Sequence, residues 1–404
     1  MAETPVRWVR PGQVRLQALP PLSLYVHLPW CLLKCPYCDF NSHAVARGEL
    51  PEAAYLDALR ADLEASLPLV WGRRVGSVFI GGGTPSLFSP EGIGRLIGDL
   101  RARLPLVPGC EITLEANPGT FERERFRAFR DAGVTRLSIG VQSFDDASLK
   151  ALGRVHDAAQ ARAAVAEAAE VFDTFNLDLM YALPGQGLDG LSADLRAALA
   201  FQPPHLSVYH LTLEPNTRFA SAPPAGLPDD DLAAQMLDEI TACTGGAGLQ
   251  RYEVSAYARP GHACVHNLNY WTFGDYLGIG AGAHGKLSFP DRIVRQVRWR
   301  EPAAYMQHAL RGQPVSNEHE VTAGELPFEF MLGALRLRDG FDPRLFVERT
   351  GLAWSTLAEP VRRAQDRGLL AVEGDVQGLP ARVAPTVRGF DFLSDLQQMF
   401  LAEA

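Results

Sequence analysis

Six short runs of β-branched and aromatic residues, each closed by Gly, Pro or a polar residue, set the tightest limit on how this chain can fold. They cover residues 24–29, 77–81, 111–116, 136–142, 175–181 and 206–213. Amphipathic helical segments lie between them. Leu56, Leu59, Leu63 and Leu67 share one helical face. Ser89-Pro90-Glu91 reads as a cap, a first-turn proline and a first-turn acid. Residues 121–132 close at Gly133, a residue suited to a helix C-cap. Such alternation demands parallel strands joined by right-handed crossovers. Six units are too few for a closed eight-stranded barrel; they fit a doubly wound sheet or an open partial barrel.

After about residue 215 the rhythm stops. SAPPAGLPDDD reads as a linker or lid loop, and residues 250–290 mix strand and loop character around Gly, Tyr and Trp. From about 320 the pattern is three helices, a hairpin-like VEGDVQGLPARVAPT and a last helix, a winged-helix-like order. The expected division is an N-terminal segment at 1–20, a barrel at 21–220, an extension at 221–318 and a C-terminal domain at 319–404.

Composition narrows the class. Of 404 residues 47% are hydrophobic and 21% charged, enough for a sizeable core and incompatible with disorder or low complexity. The net charge of −9 argues against general phosphate-backbone binding, so no nucleic-acid partner is expected. No apolar run reaches a membrane span, and the N-terminus lacks a secretory apolar stretch. Six cysteines are too sparse for a disulfide scaffold, and Cys110, Cys243 and Cys264 are scattered. The expectation is a cytoplasmic protein with one thiol cluster.

That cluster is CLLKCPYC, in which Cys31, Cys35 and Cys38 follow the first strand as CxxxCxxC. Three thiolates on one loop suit a soft metal centre, and an iron–sulfur cluster held by three cysteines keeps one iron open. A zinc site completed by a ligand such as His43, or reduced thiols without metal, fits the same residues. Other polar groups also fall at strand ends, where parallel α/β barrels build their sites. Gly81-Gly82-Gly83-Thr84-Pro85 follows the second run, Glu115 and Asn117 end the third, Gln142 and Ser143 the fourth, and Asp178 lies in the fifth.

CxxxCxxC, GGGTP, Glu115, Gln142, Arg154 and Asp178 in this order resemble the radical S-adenosylmethionine superfamily, and within it the coproporphyrinogen oxidase-like branch. The resemblance implies an open, six-stranded parallel β/α TIM-like partial barrel, a smaller mixed region and a C-terminal winged-helix-like domain. It implies a 4Fe–4S cluster on Cys31, Cys35 and Cys38, and S-adenosylmethionine on the open iron. Tyr25, Tyr37, Gly82, Gly83, Thr84, Glu115, Gln142, Arg154, Asp178 and Thr212 stand where the family contacts that cofactor.

Within the branch, the oxidases carry a further Cys two residues after the third ligand, where this chain has Phe40, and a longer N-terminal segment. His266-Asn267-Leu268-Asn269-Tyr270-Trp271 is similar to the HNxxYW signature of the HemW-like heme chaperones, and LGRVH and HLTLEPNT point the same way. The resemblance therefore implies heme as cargo, heme-accepting proteins as partners and no coproporphyrinogen III oxidase activity. Oxidative decarboxylation to protoporphyrinogen IX is the alternative. A heme site needs an axial ligand and an apolar aromatic pocket. His266 is the candidate ligand; His27, His205, His210, His284 and the thiolate of Cys264 are alternatives, and His266 could equally pack the barrel. Arg362, Arg363 and Arg367 read as a solvated helix face or a partner or membrane-surface contact.

Overall fold

The computed structural model describes residues 14–46, 48–119, 125–374 and 379–401. Strand β1 (Leu22–Leu28) is almost wholly buried, as its apolar run requires of a parallel strand covered on both faces. It opens a series with β2 (Val75–Gly82), β3 (Leu106–Ala116), β4 (Arg136–Gln142), β5 (Phe175–Tyr181) and β6 (His205–His210). Each pairs parallel with the next. The crossovers carry α1 (Glu52–Ser66), α2 (Pro90–Arg103), α3 (Phe126–Asp131), α4 (Asp146–Ala151), α5 (Ala158–Val171) and α6 (Leu188–Leu199). Ser89 caps α2 by accepting from the Gly92 N–H, with Pro90 in the first turn as its sequence requires. The expected helix start at residue 121 lies outside the described residues.

Two expectations need correction. The sixth strand stops at His210, so Thr212 lies beyond it, exposed. The sheet also does not end at six strands. After β7 (Gln250–Arg251) and β8 (Ala256–Ala258) extend the β6 edge antiparallel, the chain returns, and β9 (Asp275–Ile279) pairs parallel with β1. Next, β10 (His284–Phe289), β11 (Arg292–Arg298) and β12 (Val315–Glu320) add antiparallel strands on that side, giving twelve in an open order. The seventh parallel strand is hidden in sequence because Gly278 interrupts its β pattern. A Cβ there would lie 2.0 Å from the His284 carbonyl oxygen, so close backbone approach dictates the glycine.

Beyond β6, after a single helical turn at Arg218–Ser221, the longer helices are α7 (Asp230–Gly246), α8 (Val265–Trp271), α9 (Pro302–Ala309), α10 (Leu326–Ala334), α11 (Pro343–Thr350) and α12 (Ala358–Asp366). Strands β13 (Leu370–Glu373) and β14 (Arg382–Pro385) form the expected hairpin, and α13 (Val387–Asp391) and α14 (Leu393–Gln398) follow. A second core forms here around Phe330, Phe341, Phe346 and Leu396, and it takes in Val14, Leu16, Phe273 and Ile293 from outside the C-terminal segment. On the barrel side, fully buried Arg298 on β11 pairs with Asp62 on α1 at 3.1 Å, and Tyr305 on α9 donates to the same carboxylate at 2.9 Å. No helix among the described residues is long and apolar enough to cross a membrane.

Candidate functional site

The loops at the C-terminal ends of β1 to β6 enclose a cavity of about 380 Å³. Strand direction explains the convergence: alternate residues face one side of a sheet, so Glu115 on β3 comes level with Ser138 on β4, and Gly140 on β4 with Asp178 on β5. Cys31, Cys35, Cys38 and Tyr37 form one wall. Gly82, Gly83, Thr84, Glu115, Gln142, Arg154, Asp178 and Thr212 contribute to the rest.

The three thiols are free and part-exposed to this space. A chain of polar contacts joins two of them. Thr84 Oγ1 donates to Cys31 Sγ at 3.5 Å and accepts from Asn117 Nδ2 at 2.9 Å. Asn117 Oδ1 accepts from Arg154 Nη2 at 2.6 Å, and Arg154 Nη1 donates to Cys35 Sγ at 3.6 Å. Burial pushes the Cys31 and Cys38 thiols up, and a bound metal would favour their thiolates. Among the described residues no group of three His, Cys, Asp or Glu side chains is placed to hold a metal ion, and His43 Nε2 sits 3.3 Å from Asn41 Oδ1.

The glycine run is explained by crowding. Gly82 has φ +120°, and a Cβ there would lie 2.6 Å from the His27 ring. At Gly83 a Cβ would come 2.5 Å from the Trp30 carbonyl oxygen, so the turn can tuck under the cysteine loop only without side chains. Gly82 N–H donates to Glu115 Oε2 at 2.9 Å. Burial, with the nearby charge of Asp178, raises the Glu115 carboxyl to about 7. Asp178 is raised to about 6 by burial, against hydrogen bonds from Asn176 at 2.7 Å and Ser138 at 3.1 Å. Two carboxyls that resist ionising make a wall that gains from a cation. Gln142 holds φ +66° at a break in register between β4 and β5, a strained position of the kind met at binding sites.

Tyr25, expected beside the cysteine loop, lines a second cavity instead. That space, of about 550 Å³, shares Asp39 and Phe40 with the first and is walled by Tyr25, Phe79, Tyr270, Trp271, Phe273 and Tyr276. The Tyr25 hydroxyl donates to His27 Nδ1 at 2.7 Å, while His27 Nε2–H donates to the Asn41 carbonyl at 2.9 Å.

His266 requires the larger correction. It is 4% exposed and faces neither cavity: Nδ1 lies 3.2 Å from Glu111 Oε1, and its ring stacks on Phe79 with centroids 4.3 Å apart. Glu111 stands four residues before Glu115 on β3, roughly 13 Å lower at ~3.3 Å per residue, so His266 plugs the base of the barrel. Among the alternatives, His205 is sealed between Asn176 and Tyr252, and burial pushes the Cys264 thiol up to about 12. His210 lines the first cavity and His284 the second, both exposed. Sequence reasoning left Asn117, Ser138 and Asn176 without a role. Their signal was spacing, since Asn117 follows Glu115 by two and Asn176 precedes Asp178 by two, placing each pair on one face.

Known proteins carry the same plan. The Radical SAM superfamily model matches residues 25–198 and the HemN C-terminal domain model residues 321–377. The heme chaperone HemW of Escherichia coli (strain K12) is 47% identical over 387 residues, spanning 95% of this chain and 99% of that protein. Heme chaperone HemW of Mycobacterium tuberculosis (strain ATCC 25618 / H37Rv) is 38% identical over 362 residues, 88% of this chain and 90% of the relative. The solved structure of coproporphyrinogen III oxidase (HemN) from Escherichia coli, a radical SAM enzyme, superposes with a TM-score of 0.79 at 25% identity, covering 95% of this chain and 90% of the other. Matches of this identity along nearly the whole length of both chains mean that the chain belongs to the HemW family of radical SAM proteins.

Proposed function

We propose that this protein is a heme chaperone that binds a 4Fe–4S cluster and S-adenosylmethionine and hands heme to acceptor proteins in the cytoplasm. The observation that carries the reading is the 47% identity, end to end, with a protein named heme chaperone HemW. Cys31, Cys35 and Cys38 would hold the cluster, since three free thiols share one cavity wall. When bound, the cluster supplies an open iron and an electron, which is the chemistry of the cofactor rather than of the chain. Glu115 and Asp178 would gain their charges on meeting the cationic groups of S-adenosylmethionine, and Arg154 would meet its carboxylate. Gly82, Gly83, Thr84, Gln142 and Thr212 complete that site, and Tyr37 closes its thiol side.

The segments 21–220, 221–318 and 319–404 divide the work as cofactor barrel, extension and docking domain. Arg362 on the C-terminal domain pairs with Glu359 at 2.8 Å and Asp366 at 2.9 Å, and with the net charge of −9 this supports a reading without a nucleic-acid partner. Heme acceptors or a membrane surface are the partners this reading names.

The test is transfer. Anaerobically reconstituted protein loaded with heme should pass it to an apo-hemoprotein, and should form no protoporphyrinogen IX from coproporphyrinogen III with reductant and S-adenosylmethionine. The oxidase reading, favoured by the 0.79 TM-score to HemN, requires the reverse. Phe40, where the oxidases have Cys, supports the chaperone.

A further inference from the structure

We propose that heme sits in the second cavity with His284 as its axial ligand, and that the HNxxYW helix builds the wall of this cavity rather than supplying the iron ligand. The proposal rests on the heme-chaperone reading and deepens it.

A heme site must meet three separate demands. The macrocycle needs flat apolar walls, the iron needs an imidazole with a free nitrogen, and the propionates need cations near water. The second cavity meets all three. Its walls are the rings of Tyr25, Phe79, Tyr270 and Tyr276, and its rim carries two apolar side chains left in solvent, Phe40 at 62% and Leu332 at 43% exposure. His284 opens β10 on the cavity wall, exposed, and neither ring nitrogen has a hydrogen-bond partner among the described residues. Partial desolvation at the cavity wall and the neighbouring Arg295 and Arg300 lower its pKa, which favours the neutral imidazole that ligation needs.

The charged groups facing this space sort into spent and available ones. Lys286 is bound to Asp275 at 2.9 Å, and Arg295 is closed on Glu329 and the Tyr276 hydroxyl. Arg300 is exposed with no side-chain partner among the described residues, leaving it for a propionate, while Asp39 marks the boundary with the first cavity.

His266 cannot serve without dismantling the barrel base. Its ring lies on one face of Phe79, and Tyr25 stacks on Phe79 with centroids 5.9 Å apart, so His266 props this aromatic pair from behind. Tyr270, one turn later on α8, presents its ring to the cavity.

The experiment is a hemin titration of the full chain, followed by absorbance, for wild type, His284→Ala and His266→Asn, the last retaining a donor at the Nδ1 position for Glu111. Expected is one saturable site with the same bands in wild type and in His266→Asn, where loss of the ring stacked on Phe79 weakens affinity but leaves the ligation signature unchanged. His284→Ala should bind about tenfold or more weakly with shifted bands, and added imidazole should restore the wild-type bands. Wild-type affinity and bands in His284→Ala would overturn the assignment, as would a loss confined to His266→Asn. Absence of saturable hemin binding in wild type would instead sink the chaperone reading itself.

Discussion

The two cavities touch at Asp39 and Phe40 yet are built in opposite ways. The first draws on the ends of successive βα units, and its working groups are thiols, raised carboxyls and one guanidinium tied into a chain from Cys31 to Cys35. The second is the more aromatic and gathers residues from β1, β2, α8, β9, β10, β11 and α10. Iron–sulfur and charged-cofactor chemistry needs polar groups at fixed heights, which strand ends provide. A flat apolar ligand needs area, which only packed elements from distant sequence provide.

The sharpest test of their independence is Cys35→Ser. Iron and acid-labile sulfide should fall to near background while hemin still binds; parallel loss of both would show that the cavities act as one. Next, Arg298→Met strands a buried Asp62 carboxylate and should cost ~3–5 kcal/mol, read from the denaturant midpoint. Because this pair ties β11 to α1, hemin binding should suffer more than S-adenosylmethionine binding. Arg154→Met removes charge-assisted bonds to Asn117 and the Gly140 carbonyl and should weaken S-adenosylmethionine about 10- to 100-fold in cluster-loaded protein, by equilibrium dialysis.

The raised carboxyls give a pH signature specific to the first cavity. Glu115 and Asp178 hold protons more tightly folded than unfolded, so their contribution is most favourable below pH ~4 and is lost as pH rises through about 6 to 7. Without ligands, the melting temperature of wild type should therefore decline over that range relative to a Glu115→Gln, Asp178→Asn variant. Equal profiles would remove the argument for a cation-seeking wall. The smallest effect belongs to Arg300→Ala, a few-fold loss of hemin affinity that salt should also produce, as expected of an exposed charge pair.

Legibility followed the same division. The six βα units were readable because each strand is a local run and each helix a local period, and the cap at Ser89 is a local contact. The strand at 275–279 was not, because its glycine exists for the sake of the His284 carbonyl. Cys31, Cys35, Cys38, Gly82, Gly83, Thr84, Glu115, Gln142, Arg154 and Asp178 were expected together from their order in the sequence, and they line one cavity. Tyr25 was expected with them but faces the other space, since residues near a shared loop can still point to different rooms.

By itself the sequence determined the parallel α/β rhythm, the three thiols after the first strand and the polar groups at strand ends, all of them set by spacing within one element. Tertiary structure decided what no spacing encodes: that β9 closes against β1, that glycines 82 and 83 are forced by His27 and Trp30, and that His266 props Phe79 while His284 stands open. The physical reason is that burial and free valence belong to an environment. Two histidines eighteen residues apart carry the same chemistry until packing closes one against Glu111 and leaves the other facing a cavity.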